Sequence, residues 1–470
     1  MASRAGRVEY RLVRTPPPPV TAPELDEAQR AVVEHRGGPL LVLAGPGTGK
    51  TTTLVEAVAR RVEAGTELDR VAVLTFSRKA AGELRDRIAR RVGRTTAAPT
   101  ATTFHSFCHA LVAAHRPPEE AGRPLRLFSA TEQDVAVREW LRGSARSWPE
   151  TIRRCLGTRG LAEEVRDVLA RVGERDIDLR RLAAEAQDAE AGAVWGALAA
   201  FAEEYGDLLD HRGVLDYTEL VRRAVLLAES PAVRAHLRAA YDVVFVDEYQ
   251  DSDPGQVRLL RALAGDGREL VVFGDPDQSI YAFRGADVRG ILDFPRSFPD
   301  GEGRPARTVV LRTSRRAVPG LLAASREVAR RLPLAGLPAE AARQHRDLIP
   351  AVEAPPVDRS VQGVSSPELP CPHLEVLTFG SVGAELEHVA EVLRRAHLAE
   401  GVPWSDMAVL VRSGTRTIPT VRRILGAAGV PLDVAGDEIA LHAEPAVELL
   451  LTALRVAADG VSDGGVSGAG

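Results

Sequence analysis

Lysine is nearly absent from this chain. Of sixty basic side chains, only Lys50 and Lys79 carry an ammonium group. The rest are arginine, and with Ala, Gly and Pro abundant this reads as a coding bias against which the two lysines stand out. Cysteine is almost as scarce: Cys108, Cys155 and Cys371 are too few and too widely spaced for a disulfide framework or a metal-ligand cluster, so reduced structural thiols are expected. No uninterrupted apolar stretch approaches the roughly 18 residues that span a bilayer, so no membrane segment is predicted. The N-terminus lacks an apolar core followed by a small-residue cleavage site, so no secretory signal is expected and the cytoplasm is the predicted location. There is no excess of positive charge either. The net charge of −5 argues against coating nucleic acid by bulk electrostatics and leaves room for local contacts.

The length of 470 residues suggests roughly two to four domains. Residues 1–24, with the run Pro16 to Pro19, read as a mobile tail. From Leu25 to about residue 110, β-rich runs alternate with helical patterns: Pro39 to Ala44, a helix from Lys50 to Val62, Val71 to Thr75, and a helix from Lys79 to Val92. That alternation predicts a parallel sheet with crossover helices. Residues 111–215 turn Ala-, Leu-, Arg- and Glu-rich at helical spacing and read as an inserted helical domain. Strand signals return at Val243 to Val246 and Leu270 to Phe273, each leading to a carboxylate. Further runs at Thr308 to Leu311, Leu374 to Phe379 and Met407 to Val411 predict a second α/β domain over 306–440. Residues 339–372 interrupt it as a long irregular connection. Residues 441–470 are expected to begin another region and end in a flexible Gly- and Ser-rich tail.

The chemistry starts after the first strand. Ala44, Gly45, Pro46, Gly47, Thr48, Gly49, Lys50, Thr51 and Thr52 read as a phosphate-binding loop, with Ala44 where the strict pattern has Gly. Glycines let backbone N–H groups approach the phosphates, and the following helix adds its positive end. Lys50, a compact point charge, reaches between β- and γ-phosphates where a planar fork would not fit, and Thr51 offers a hydroxyl to Mg²⁺. The apolar run Val243 to Val246 then delivers Asp247 and Glu248. One acid is expected on the metal side and the next as the base that orients or deprotonates water. A nucleoside triphosphate with Mg²⁺ is the predicted ligand.

A third segment runs Gly274, Asp275, Pro276, Asp277, Gln278, Ser279, Ile280, Tyr281, Ala282, Phe283, Arg284, Gly285. Together with the loop at Lys50 and the stretch from Asp247 to Asp251, it resembles the UvrD/Rep/PcrA group of superfamily 1 DNA helicases. The resemblance covers residues 25 to about 440 and is strongest before residue 290. It implies two RecA-like parallel-sheet domains, the second incomplete, with an inserted α-helical domain. The first RecA-like domain would be made of 25–110 and 216–305. It also implies that the nucleotide is ATP, Gln29 reads the adenine edge, Gln278 touches the γ-phosphate, Arg316 reaches the same phosphate, and Phe76, Tyr281 and Phe283 line a path for single-stranded or tailed duplex DNA. Lys79, His105 and Arg284 would add polar contacts. Aromatic faces stack on any base, so they grip without specificity.

Two departures follow. Arg315 stands where the family usually has a tyrosine stacking on adenine, which puts adenine selectivity in question, although a guanidinium plane also stacks. The family's two late motifs do not occur before Gly470, so the chain is expected to be the N-terminal part of a helicase. Competing readings are an ATP- and DNA-binding module with little turnover, a part completed by a partner chain in a repair complex or helicase-nuclease, and a small-molecule kinase.

Overall fold

The structure, a computed structural model, describes residues 22–93, 101–116, 125–282, 285–351, 374–434 and 452–453. The expected tails, Cys371, Phe283 and Arg284 lie outside the described residues, apart from residues 22–24 and 452–453. The chain divides into two compact units, Met1–Pro372 and His373–Gly470.

The first unit begins with α1 (Glu27–Val33), β1 (Pro39–Ala44), α2 (Lys50–Glu63), β2 (Val71–Thr75), α3 (Arg78–Val92), β3 (Ala101–Thr103) and α4 (Phe104–Ala114). A helical insertion follows, entered through β4 (Arg126–Leu127) and built from α5 (Ala130–Gly143), α6 (Glu150–Arg153), α7 (Arg159–Arg175), α8 (Leu179–Ala184) and α9 (Ala189–Arg212). It is left through β5 (Val214–Leu215), and β4 and β5 pair with each other to close its neck. The chain then makes α10 (Tyr217–Glu229), α11 (Pro231–Ala240), β6 (Val243–Val246), α12 (Pro254–Ala264) and β7 (Leu270–Gly274). Two four-residue helices, α13 (Arg289–Leu292) and α14 (Phe294–Ser297), precede β8 (Arg307–Leu311), β9 (Thr313–Ser314), α15 (Pro319–Ala329), α16 (Ala339–Arg346) and β10 (Ile349–Pro350).

Six strands form one sheet in the order β3-β2-β6-β7-β1-β8, every pair parallel. Strands buried on both faces read as continuous apolar runs, and their side chains alternate between two cores. Leu41, Leu43, Leu74, Val244, Val246 and Val272 join one core, with α4, α10 and α12. Leu40, Val42, Val73, Phe245, Val271 and Phe273 join the other, with α1, α2 and α3. The insertion has its own core around Val137, Leu141, Trp148, Phe201 and Leu209.

Three expectations are corrected. Residues 308–311 do not open a second sheet: β8 pairs with β1 in register from Leu40 opposite Arg307 to Ala44 opposite Leu311, making it an edge strand of the first sheet. Residues 339–351 are ordered as α16 and β10, and β10 pairs with β9. In the second unit, α17 (Val382–Glu400) and α18 (Gly414–Ala427) pack through Leu386, Ala390, Val421 and Leu425. Among its described residues there is no strand. The expected strands at 374–379 and 407–411 have no pairing partner there, and Val376 and Leu410 are 90% and 92% exposed.

Candidate phosphate site and adjoining aromatic pair

A parallel sheet gathers the C-terminal ends of all its strands at one edge, where open α/β sheets carry their sites. β1 ends at Ala44, and the chain turns through Gly45 to Gly49 into α2. Gly47 and Gly49 have φ of +74° and +82°, which only glycine adopts readily. Both also lie against neighbours: a Cβ on Gly47 would sit 2.6 Å from Arg316 Cβ, and one on Gly49 2.6 Å from Gln29 Nε2. Thr48 folds inward and donates from Oγ1 to Gly45 O at 2.8 Å, holding the turn. No side chain caps α2, so its first N–H groups are left to face an anion.

Lys50 opens α2. Its Nζ contacts Glu248 and lies 3.9 Å from Asp247 Oδ1. Thr51 follows on the same turn, whereas Thr52 is turned toward α3, its hydroxyl accepting from Arg87 at 3.0 Å. The structure thus places Ala44 to Thr51 in one turn leading into α2 and directs the Thr52 hydroxyl elsewhere. Glu248 has φ +54°, an uncommon conformation for a residue with a side chain. Burial pushes the Asp247 carboxyl up to about 6 even though Lys50 pulls it down, and its Oδ1 is buried with no hydrogen-bond partner. Asp251 is likewise raised to about 6, by burial and then by the negative charge of Glu248.

Gln250, which the sequence did not single out, ties this cluster together. Its Nε2 donates to Glu248 Oε2 at 2.9 Å and Asp251 Oδ2 at 3.2 Å, and its Oε1 accepts from the Asp275 N–H at 3.1 Å. Gln278 donates from Nε2 to Asp275 Oδ2 at 2.5 Å. On the other side of the loop, Ser314 Oγ donates to Pro46 O at 2.9 Å and the Arg315 N–H to Gly47 O at 2.8 Å. Arg316 is thereby seated beside Gly47. The Arg315 guanidinium pairs with Asp26 at 2.9 Å. Gln29 reaches the loop, but its buried amide is engaged at both ends. Oε1 accepts from the Asp26 N–H at 3.1 Å, completing a capping box on α1, and Nε2 donates to Thr48 O at 3.1 Å. It braces the loop in this structure rather than presenting an unoccupied edge.

At the same sheet edge, Phe76 after β2 stacks on Tyr281, ring centroids 4.5 Å apart and planes 29° apart. Lys79 is exposed on the first turn of α3, which Ser77 caps by accepting from the Ala80 N–H at 3.1 Å. His105, one residue past the start of α4, meets Tyr217 edge-on at 5.2 Å. Burial, aided by the positive charge of Arg78, holds its imidazole below the usual range. Its neighbour Phe104 is core.

A six-stranded parallel sheet with a glycine loop, an uncapped helix and a lysine facing two strand-end carboxylates defines a RecA-like phosphate-loop domain. Residues 25–299 match the family described as UvrD/REP helicase N-terminal domain. The chain is 33% identical over 326 residues to the ATP-dependent DNA helicase UvrD1 of Mycobacterium tuberculosis, covering 67% of this chain and 40% of that protein. It is 30% identical over 452 residues to UvrD2 of the same organism, covering 92% and 58%. It is 29% identical over 308 residues to DNA helicase II of Escherichia coli, covering 64% and 39%. The chain belongs to the UvrD/REP helicase family. It spans 39% to 58% of the length of these relatives.

Proposed function

We propose that this chain forms the ATP-consuming, DNA-gripping part of a UvrD-like helicase. In this reading single-stranded DNA stimulates hydrolysis of ATP, which drives 3′ to 5′ movement and duplex unwinding in repair or recombination. The observation that carries the reading is the sharing of one sheet edge by the Lys50–Asp247–Glu248 cluster and the Phe76–Tyr281 stack. Gln278 lies three positions before Tyr281 on the connecting loop. Names also support it: two of the relatives are called ATP-dependent DNA helicases and the third a DNA helicase.

Lys50, the N–H groups of the loop and the start of α2 hold the β- and γ-phosphates. Asp247 Oδ1, buried without a partner, suits a hard cation, and Asp247 and Thr51 would hold Mg²⁺. When bound, that ion neutralises phosphate charge. Glu248, partly exposed and steadied by Gln250, orients the attacking water and takes its proton once Lys50 has turned to the phosphate. Gln278 and Arg316 meet the γ-phosphate, and Gln29 fixes the loop that the base abuts. Phe76 and Tyr281, with Lys79 and His105 nearby, grip the strand. Phe283 and Arg284 belong to the same proposed path.

The test is ATP turnover by the purified full chain with and without an unstructured oligonucleotide. The oligonucleotide should raise turnover and nucleotide affinity, and DNA affinity should fall as salt increases. If neither nucleotide affinity nor turnover responds to the oligonucleotide, the reading is wrong.

A further inference from the structure

His345 lies near the end of α16, 70 positions from Asp275 in sequence, yet it is 3% exposed and its Nε2 stands 3.0 Å from Asp275 Oδ1. Asp275 also receives the Gln278 amide at 2.5 Å and the Asp277 N–H at 3.0 Å. Burial would push this carboxyl up, but these donors outweigh it and hold it below its ordinary range. It is therefore an anion that accepts, and the hydrogen-bond network assigns the His345 proton to Nε2. His345 Nδ1 is buried with no partner, so the ring is held in the core for the bond it makes through Nε2.

Asp275, Asp277 and His345 bring ligand atoms within 4.8 Å of one another, but they do not make a cation cage. Arg346 places its guanidinium on Asp277 at 2.8 and 3.2 Å, and a fixed positive charge inside the set repels a divalent ion. The cluster is an ion-pair network at the end of β7. The residues after His345 run to the other side of the site. A Cβ on Gly45 would sit 2.9 Å from Leu348 Cδ1. The Ile349 and Ala351 N–H groups donate to Arg312 O and Ser314 O, each at 2.8 Å, and Ser314 in turn bonds Pro46.

We propose that His345 is a positioning residue for Gln278, acting through Asp275, and that residues 345–351 form a strap joining the Gln278 end of the site to the phosphate loop. This rests on the nucleotide reading above. With Asp275 fixed by His345, the Gln278 amide is held at the sheet edge where a γ-phosphate would lie. Without that bond Asp275 Oδ1 keeps only the Asp277 N–H, so the carboxylate and the Gln278 amide bonded to it are held less firmly. His345 touches no nucleotide in this scheme.

The experiment is calorimetric titration of the full chain with Mg-ADP and with a non-hydrolysable Mg-ATP analogue. The proteins compared are wild type, Gln278→Ala, His345→Phe, His345→Ala and His345→Gln. The ratio of the two affinities reads the γ-phosphate contact. His345→Phe and His345→Ala should lower the ratio by about fivefold or more, as Gln278→Ala does, with ADP affinity unchanged. His345→Gln, which restores a donor, should recover it. Two variants of different volume keep the test available if one is poorly accommodated. Equal loss of both affinities, or a ratio that stays at the wild-type value in His345→Phe and His345→Ala while Gln278→Ala lowers it, overturns the proposal and leaves the nucleotide site intact. A wild-type chain that binds neither nucleotide overturns the site reading, and this proposal with it.

Discussion

The Lys50 ammonium is paired with Glu248 and lies 3.9 Å from Asp247, so the residue assigned to the phosphates is neutralised by the residue assigned to the water. An incoming polyphosphate competes with Glu248 for that charge. Glu248→Gln removes the competitor and the base together. Nucleotide affinity should rise severalfold while turnover falls by about 10²–10⁴. Equilibrium titration and steady-state hydrolysis measure the two, and a variant that hydrolyses normally excludes Glu248 as the base.

Lys50→Ala deletes the ammonium at the start of α2 that faces Asp247 and Glu248. Loss of charge-assisted contacts to the phosphates should cost about 1.5–3 kcal/mol of nucleotide binding. A fluorescent-nucleotide titration showing unchanged affinity would remove the phosphate-loop assignment.

Gly47→Ala tests whether the loop is held by its neighbours. The added Cβ would meet the Cβ of Arg316 at 2.6 Å and its backbone nitrogen at 3.0 Å, at a residue with φ +74°. Neither neighbour is a flexible tip. The substitution should destabilise the first unit by about 1–3 kcal/mol and weaken nucleotide binding. A melting temperature equal to wild type would mean that the 313–316 segment is not seated as described.

Glu174 on α7 carries a pH signature. Its carboxyl lies against Gly285 and 3.2 Å from Arg171, which also donates to Ala282 O at 2.7 Å. Burial, then repulsion from Asp253, raises it to about 7, against the pull of Arg171 and Arg175. The folded protein keeps this proton up to about pH 7, whereas the unfolded chain releases it near 4.5. Unfolding therefore releases a proton within that window, and this group's contribution to stability falls as pH rises through it. Glu174→Gln should be more stable than wild type by about 1–3 kcal/mol at pH 8, with the gap closing toward pH 4.5. Thermal melts at the two pH values decide it, and a gap independent of pH refutes the assignment.

Phe76→Ala opens the aromatic pair. If the stack forms part of a strand path, single-strand affinity should weaken by roughly 1–3 kcal/mol, measured by fluorescence anisotropy. Loss of thermal stability with unchanged DNA affinity would make Phe76 a packing residue.

The strands at 39–44, 71–75 and 243–246 were legible because parallel strands buried on both faces leave unbroken apolar runs. The loop was legible because its turn demands glycine at fixed places. β8 was recognisable as a strand, but nothing local says which sheet it joins; its register on β1 does. The run at 374–379 has strand composition without a partner, and composition alone does not form a ladder. His345 left no trace in the sequence because its meaning depends on a carboxylate 70 positions away. The resemblance assigns Gln29 to the adenine edge, while its service to the α1 cap and the Thr48 carbonyl is visible only in three dimensions.

The poverty in lysine makes this chain its own chemical reporter. Apart from the terminal amine, an amine-selective acylating reagent has two targets in this sequence. The Lys50 side chain is 14% exposed and engaged by Glu248, while Lys79 is exposed at the start of α3. Peptide mapping after brief acylation therefore yields two separate readings from one sample, protection of Lys50 following occupancy of the loop and protection of Lys79 following occupancy of the proposed strand path.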